Sequence, residues 1–391
     1  MKPLHLMVGI CIGLLLSLSV YEYDTRRHLD NLVNDLKSGI NQQASALNAS
    51  KAELEQSIGE LQRASKAELR QSIGELRNDF ASLDDLRARQ LTIERMVVGL
   101  QDAMSVLAFS LGQKSDPRSI ILGDLDSYES LDANWKSFRD VSGRAAMPCS
   151  VAVRTAVIIL LGQSNSANHG LARTTSKHSV DNFNLYDGRC YHASDPLLGA
   201  SGEGGNFATR LGDLLIEEGQ FDHVIIAPIG MGGTRVDQWA KEGMFNRRIA
   251  ALIRRLYDAG LSPNFILWHQ GEGESGVGDI GGRQYRKNLL EVVQTFRQYG
   301  IGAPFFVALA TRCGSGQHPN ARNIRDGQRS TANGVIGIYL GPDTDALGSA
   351  YRDPEGCHFT EQGLAAHAEL WARAIMTYQA SRGPVAGPLS R

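Results

Sequence analysis

The chain has 391 residues, a formal net charge of −2 at pH 7 and 21% charged residues. Its length allows more than one folding unit, and so even a charge balance offers no footing for a nucleic-acid or acidic-polymer partner. Five cysteines without a Cys-x-x-Cys pair argue against structural zinc, and no other metal or organic cofactor is implied.

At the N-terminus, residues 4–20 form a nearly unbroken apolar run that contains Cys11, with Lys2 and His5 on one side and Tyr21, Glu22, Tyr23 and Asp24 on the other. Its length and the interfacial tyrosines predict an uncleaved membrane anchor over residues 1–23, with the bulk of the chain outside the cytoplasm, periplasmic or extracellular. A cleaved signal peptide is the alternative, since Ser17-Leu18-Ser19 offers a small-x-small site.

Residues 24–115 are polar and rich in Ala, Glu, Leu, Gln and Arg, and apolar residues such as Leu47, Leu54, Ile58, Leu61, Leu69, Ile73 and Leu76 recur at steps of three and four or their sums. That narrow seam predicts a long α-helical coiled-coil stalk, and through it a homo-oligomer. Residues 50–61 repeat almost unchanged as 65–76. A repeat one residue longer than two heptads places a stutter between Leu61 and Leu69. A single marginal helix or a solvated linker is the competing reading.

Ser115-Asp116-Pro117 ends the helical pattern, and residues 116–150 read as a connector. From Thr155 onward, apolar runs of strand length at 156–161, 224–228, 265–268, 305–310 and 335–340 alternate with helical patterns at 205–219, 247–259, 282–299 and 360–378. Alternation of this kind predicts βαβ crossovers and a mostly parallel five-stranded sheet with helices on both faces, a three-layer flavodoxin-like α/β domain over residues 151–380. Residues 381–391 are expected to be a flexible tail. The four cysteines beyond the apolar run, Cys149, Cys190, Cys313 and Cys357, can form two disulfides in an oxidising compartment, with three connectivities open. Cys313 with Cys357 is the pairing expected, because both follow candidate strand ends.

Chemistry collects where the strands end, as it does in open α/β sheets. Gly162-Gln163-Ser164-Asn165 follows the first strand, and Gly230-Met231-Gly232-Gly233-Thr234 with Trp239 follows the second. His269-Gln270-Gly271-Glu272-Gly273-Glu274 follows the third, and Asp353-Pro354-Glu355-Gly356-Cys357-His358 stands near the C-terminus. Each patch alone is weak, and loop composition alone does not place four of them along one sheet edge.

In these four ordered blocks, over roughly residues 156–378, the sequence resembles the SGNH hydrolase superfamily and, within it, the sialate O-acetylesterase-like carbohydrate esterases. The resemblance implies that Ser164 is the nucleophile and His358 its general base, since a serine hydroxyl attacks only when a base within reach takes its proton. The family's aspartate three residues before that histidine is replaced here by Glu355, which takes the third role, with Asp353 as its substitute and a Ser-His dyad as a further alternative. The backbone amides of Ser164 and of Gly232 or Gly233 would form the oxyanion hole. Many SGNH enzymes add an asparagine there; this chain lacks it, and Gln270 is the amide that takes its place. Asn165 braces the nucleophile turn or contacts substrate, Glu272 fixes loops or binds Arg235 or a sugar hydroxyl, and Asn165, Glu272 and Arg235 are the expected substrate-binding residues. His269 reads as a structural histidine, and Trp239 and Trp268 as core.

The activity implied is hydrolysis of a short ester, most simply acetyl, on a carbohydrate through an acyl-serine. Two rivals remain open at this stage. One is a polysaccharide O-acetyltransferase using the same serine and histidine, and the other is a catalytically inactive, membrane-tethered carbohydrate-binding scaffold.

Overall fold

The computed structural model describes residues 114–123, 135–152, 154–276, 280–314 and 320–382, together with Ser38, Gln56, Ser57, Gly59, Glu60 and Lys66. The chain divides into two compact units, Met1–Val98 and Gly99–Arg391, and the second holds the sheet.

Eight strands form that sheet: β1 (Ala146–Met147), β2 (Thr155–Gly162), β3 (Val180–Phe183), β4 (Cys190–His192), β5 (His223–Pro228), β6 (Phe265–His269), β7 (Phe305–Leu309) and β8 (Ile338–Asp343). Their spatial order is β1-β4-β3-β5-β2-β6-β7-β8. From β3 to β8 every pairing is parallel, while β3 with β4 and β4 with β1 are antiparallel. All eight residues of β2 are buried, as a central strand covered on both faces requires.

The described helices are α1 (Phe207–Glu217), α2 (Asn246–Asp258), α3 (Glu272–Gly276), α4 (Gly282–Gln298), α5 (Ala321–Thr331) and α6 (Glu361–Arg382). Alternate β2 side chains feed two cores. Val157, Ile159 and Leu161 pack with Ile249 and Leu252 of α2 and Leu289 and Val292 of α4. Ala156, Ile158 and Leu160 pack with Phe207 and Leu211 of α1 and Leu364 and Trp371 of α6. The connector joins the first of these cores: Ile120 is buried there, and Trp135 meets Phe245 edge to face at 5.5 Å.

Two expectations about the architecture are corrected. The sheet has eight strands, not five, and it is mixed: five of its seven pairings are parallel and the two at the β1–β4–β3 edge are antiparallel. The strands that sequence reading passes over, β1, β3 and β4, are only two to four residues long, and β3 carries two polar residues whose partners periodicity does not reveal. Asp181 on β3 pairs with His223 on β5 at 2.8 Å, and Asn182 accepts from Leu198 N at 2.6 Å. β4 is joined to the segment following β1 by the disulfide Cys149–Cys190. The second correction concerns the transmembrane helix and coiled-coil stalk expected at residues 1–23 and 24–115, which fall almost wholly outside the described residues. Among the described residues no helix is long and apolar enough to cross a membrane, and before residue 114 only those six positions are described.

Candidate active site

The strand order reverses at β2, and the chain turns at the end of that strand. Gly162 has φ 130°, and a Cβ at that position would collide with the carbonyl of His269 on the paired strand β6. With no side chain, the strand runs flush against β6 and then turns. Gln163 N donates to His269 O at 3.0 Å. Ser166 N and Oγ both donate back to Gln163 O, at 2.8 and 2.7 Å, closing a single 3-10 turn over Ser164–Ser166. Ser164 stands at the start of that turn, 5% exposed, and its N–H has no partner among the described residues.

The histidine block folds as a tight hairpin. Arg352 and Phe359 face each other as an antiparallel bridge, Asp353 N donates to His358 O at 2.7 Å, and Gly356 N donates to Asp353 O at 2.8 Å. Pro354 occupies the second position of that turn, where its fixed φ suits it, and Gly356 takes φ 76°. Asp353 and His358 therefore stand opposite each other at the base, and Asp353 Oδ2 lies 3.3 Å from His358 Nδ1. Asp353 Oδ1 also accepts from Cys357 N at 2.7 Å. Glu355, to which the third role was assigned, rides at the tip and is exposed. Asp353, its substitute, is the carboxylate that meets the imidazole.

Asn165 joins the two halves. Its Nδ2 donates to Cys357 O at 3.2 Å, one residue before His358, and to Glu272 Oε1 at 2.9 Å. The second bond ties the nucleophile turn to a buried polar chain. Glu272 Oε1 meets His269 Nε2 at 3.0 Å, His269 Nδ1 meets His367 Nε2 at 3.0 Å, and Trp371 Nε1 donates to that same His367 nitrogen at 3.0 Å. An indole N–H can only donate, so His367 Nε2 accepts and His269 Nδ1 carries a hydrogen. Burial opposes ionisation of Glu272, but the His269 charge and the hydrogen bonds from His269 and Asn165 outweigh it and hold the carboxyl down to about 2. Asn165 and Glu272 thus brace the turn, with His269 buried between Glu272 and His367.

The histidine hairpin is tied on its other side as well. Arg352, 4% exposed, donates to Leu347 O at 3.0 Å, Thr344 O at 2.9 Å, Arg312 O at 3.2 Å and Cys357 O at 2.6 Å, and its guanidinium lies 4.3 Å from the Phe359 ring centre. Cys357 is disulfide-bonded to Cys313, in the loop after β7, which is the pairing expected from the sequence.

Of the expected oxyanion donors, two backbone amides, those of Ser164 and Gly233, are without a hydrogen-bond partner among the described residues. Gly232 N donates to Ser201 Oγ at 2.7 Å. Gly233 is exposed at φ 69°, and its N–H has no partner among the described residues. Gln270 is fully buried, and its amide nitrogen donates to Gln163 Oε1 at 3.2 Å, Thr234 O at 3.0 Å and the Glu274 carboxylate. That side chain supports the loops and does not replace the missing asparagine. Gln163 does similar work, its Oε1 accepting from Gly273 N at 2.8 Å and Gly271 N at 3.3 Å. Arg235 pairs with Asp237 at 2.8 Å. Trp239 and Trp268 are fully buried and meet edge to face at 6.1 Å, so both belong to the core. Sequence reading missed Arg352, His169 and Ser201, none of which lies in a block with a recognisable signal.

A serine at the end of a central parallel strand, with a carboxylate–histidine pair on a late hairpin, marks an SGNH-type carbohydrate esterase. Residues 154–377 match the family described as carbohydrate esterase, sialic acid-specific acetylesterase, and the chain belongs to that family. Its substrate class is accordingly an acylated carbohydrate. Solved structures similar to it include a protein from Arabidopsis thaliana (16% identity, 58% of this chain and 98% of that one, TM-score 0.47). Others are NanS (14%, 59% and 98%, TM-score 0.43) and a carbohydrate acetylesterase from Xanthomonas citri (16%, 58% and 57%, TM-score 0.39). No match is found among curated proteins.

Proposed function

We propose that this chain removes a short acyl group from a carbohydrate through an acyl-serine, with Ser164, His358 and Asp353 as the catalytic residues. The observation that carries the reading is the Asp353–His358 pair at 3.3 Å, joined to the Ser164 turn through Asn165 and the Cys357 carbonyl. Ser164 Oγ attacks the ester carbonyl as His358 takes its proton, and Asp353 holds the imidazole by its Nδ1 side. The oxyanion of the tetrahedral intermediate is met by the N–H groups of Ser164 and Gly233. His358 then returns the proton to the departing sugar oxygen, and a water molecule activated by the same histidine releases the acid and regenerates Ser164. The family's description supports acetyl as the acyl group, and the two disulfides support an oxidising, extracytoplasmic setting.

The test is acid release from p-nitrophenyl acetate and from O-acetylated sugars by the full-length chain. Ser164→Ala and His358→Ala should each lower kcat by at least about 10^4-fold without unfolding the protein. A folded Ser164→Ala protein as active as the native one ends this reading.

A further inference from the structure

His169 lies five residues beyond Ser164, on the loop that leaves the nucleophile turn, and no step above uses it. Its ring stacks on that of His358, with centroids 5.4 Å apart and planes 24° apart. Its Nε2 is 3.1 Å from Ser201 Oγ. Ser201 is fully buried, and its hydroxyl oxygen already accepts the Gly232 N–H at 2.7 Å. The single hydrogen of that hydroxyl finds no other acceptor among the described residues, so it is donated to His169 Nε2 and fixes His169 as the Nδ1–H tautomer. The backbone reinforces the arrangement. Asn168 N donates to Ser201 O at 2.8 Å, and Ser201 N donates to Gly230 O at 2.9 Å, so one residue stitches the His169 loop to the glycine turn after β5.

Burial, with the neighbouring His358 charge second, holds His169 down to about 4. The ring therefore stays neutral when His358 takes the serine proton and becomes an imidazolium. A neutral ring face tolerates a cation stacked on it, whereas a second imidazolium would repel it.

We propose that His169 is a positioning residue for His358: its ring is the wall that holds the catalytic imidazole between Asp353 and Ser164, and Ser201 keeps that wall in register with the Gly232–Gly233 turn. The proposal rests on the Ser164–His358 reading above. A displacement of about 1 Å between base and nucleophile is enough to cost about 10^2-fold in rate, so a wall of this kind has measurable weight.

The experiment is steady-state hydrolysis of p-nitrophenyl acetate by the full-length chain carrying His169→Ala, His169→Phe or His169→Gln, beside Ser164→Ala. Phenylalanine keeps a flat ring against His358 and drops the Ser201 hydrogen bond, while glutamine keeps an acceptor for Ser201 and drops the ring. His169→Ala should lose kcat about tenfold or more with KM held within about twofold. His169→Phe should recover most of that loss, and His169→Gln should not. If the alanine variant does not fold, the Phe and Gln variants, matched for folded fraction by near-ultraviolet circular dichroism, carry the comparison. Native kcat in both His169→Ala and His169→Gln, or recovery by glutamine and not by phenylalanine, overturns the proposal while a dead Ser164→Ala leaves the esterase reading standing. A Ser164→Ala protein as fast as the native one removes the esterase reading, and the proposal with it.

Discussion

Asp353 and His358 face each other across the base of a turn whose tip is Glu355, with the Asp353 carboxylate 3.3 Å from the histidine Nδ1. The resemblance to the family, whose acidic residue stands three positions before the histidine, favours the glutamate. Hairpin geometry favours the aspartate, because cross-strand partners meet and turn tips point away.

This relationship separates the two carboxylates in an experiment. Asp353→Asn should lower kcat for ester hydrolysis by about 10^2- to 10^4-fold, because the imidazole loses the partner that fixes its tautomer. Glu355→Gln should stay within about twofold of native, as expected of an exposed side chain away from the reacting groups. Steady-state kinetics of the two variants on p-nitrophenyl acetate check both. Equal losses in the two would return Glu355 to the site.

The same contrast shows what was legible in the sequence. β2, β5, β6 and β7 are buried at every position and read directly as continuous apolar runs. β3 reads Val-Asp-Asn-Phe, and it is a strand because Asp181 and Asn182 find partners on β5 and at Leu198, which no periodicity announces. α5 buries only Ala321, Ile324, Gly327, Gln328 and Thr331, a face too thin in apolar residues to stand out. At the site, the proposed Ser164 and His358 stand out in the sequence, the first because it follows a buried strand and the second because it ends the last of the ordered blocks. Gln270 was misread, since its place in the third block gave no hint that Gln163, Thr234 and Glu274 would take its amide.

The two disulfides should differ in what they do. They span 41 and 44 residues, so the chain-entropy argument gives each about 4 kcal/mol of stability. Only Cys313–Cys357 holds the residue next to His358, the one whose carbonyl accepts from Asn165 and Arg352. The Cys149→Ser/Cys190→Ser double variant should therefore melt at a lower temperature with kcat per folded molecule unchanged. The Cys313→Ser/Cys357→Ser variant should show a similar thermal loss and at least about a tenfold drop in kcat. Thermal unfolding and kinetics on the same samples check this, and equal kcat values in the two pairs would contradict it.

Stability should fall with acid through His169. Its basicity in the folded chain is lowered from the ordinary 6.5 to about 4, so between those values the unfolded chain binds more protons than the folded one. Stability from this group is fully present above about 6.5 and is lost as the pH falls towards about 4. Between pH 7 and pH 4.5 the native protein should lose about 2 kcal/mol more than His169→Phe, in which no group titrates at that position. Urea unfolding of both proteins at the two pH values checks the difference, and parallel losses would contradict it.

The central claim is that Ser164 carries the acyl group between attack and release. The most direct measurement is intact-protein mass spectrometry of the full-length chain quenched in acid during turnover of p-nitrophenyl acetate, with peptide mapping of the labelled site. An acyl-serine enzyme gains one acetyl on Ser164 that chases away on dilution and is absent from Ser164→Ala. Acid release at the native rate with no acetyl on Ser164 at any quench time, together with an equally active Ser164→Ala protein, would contradict it.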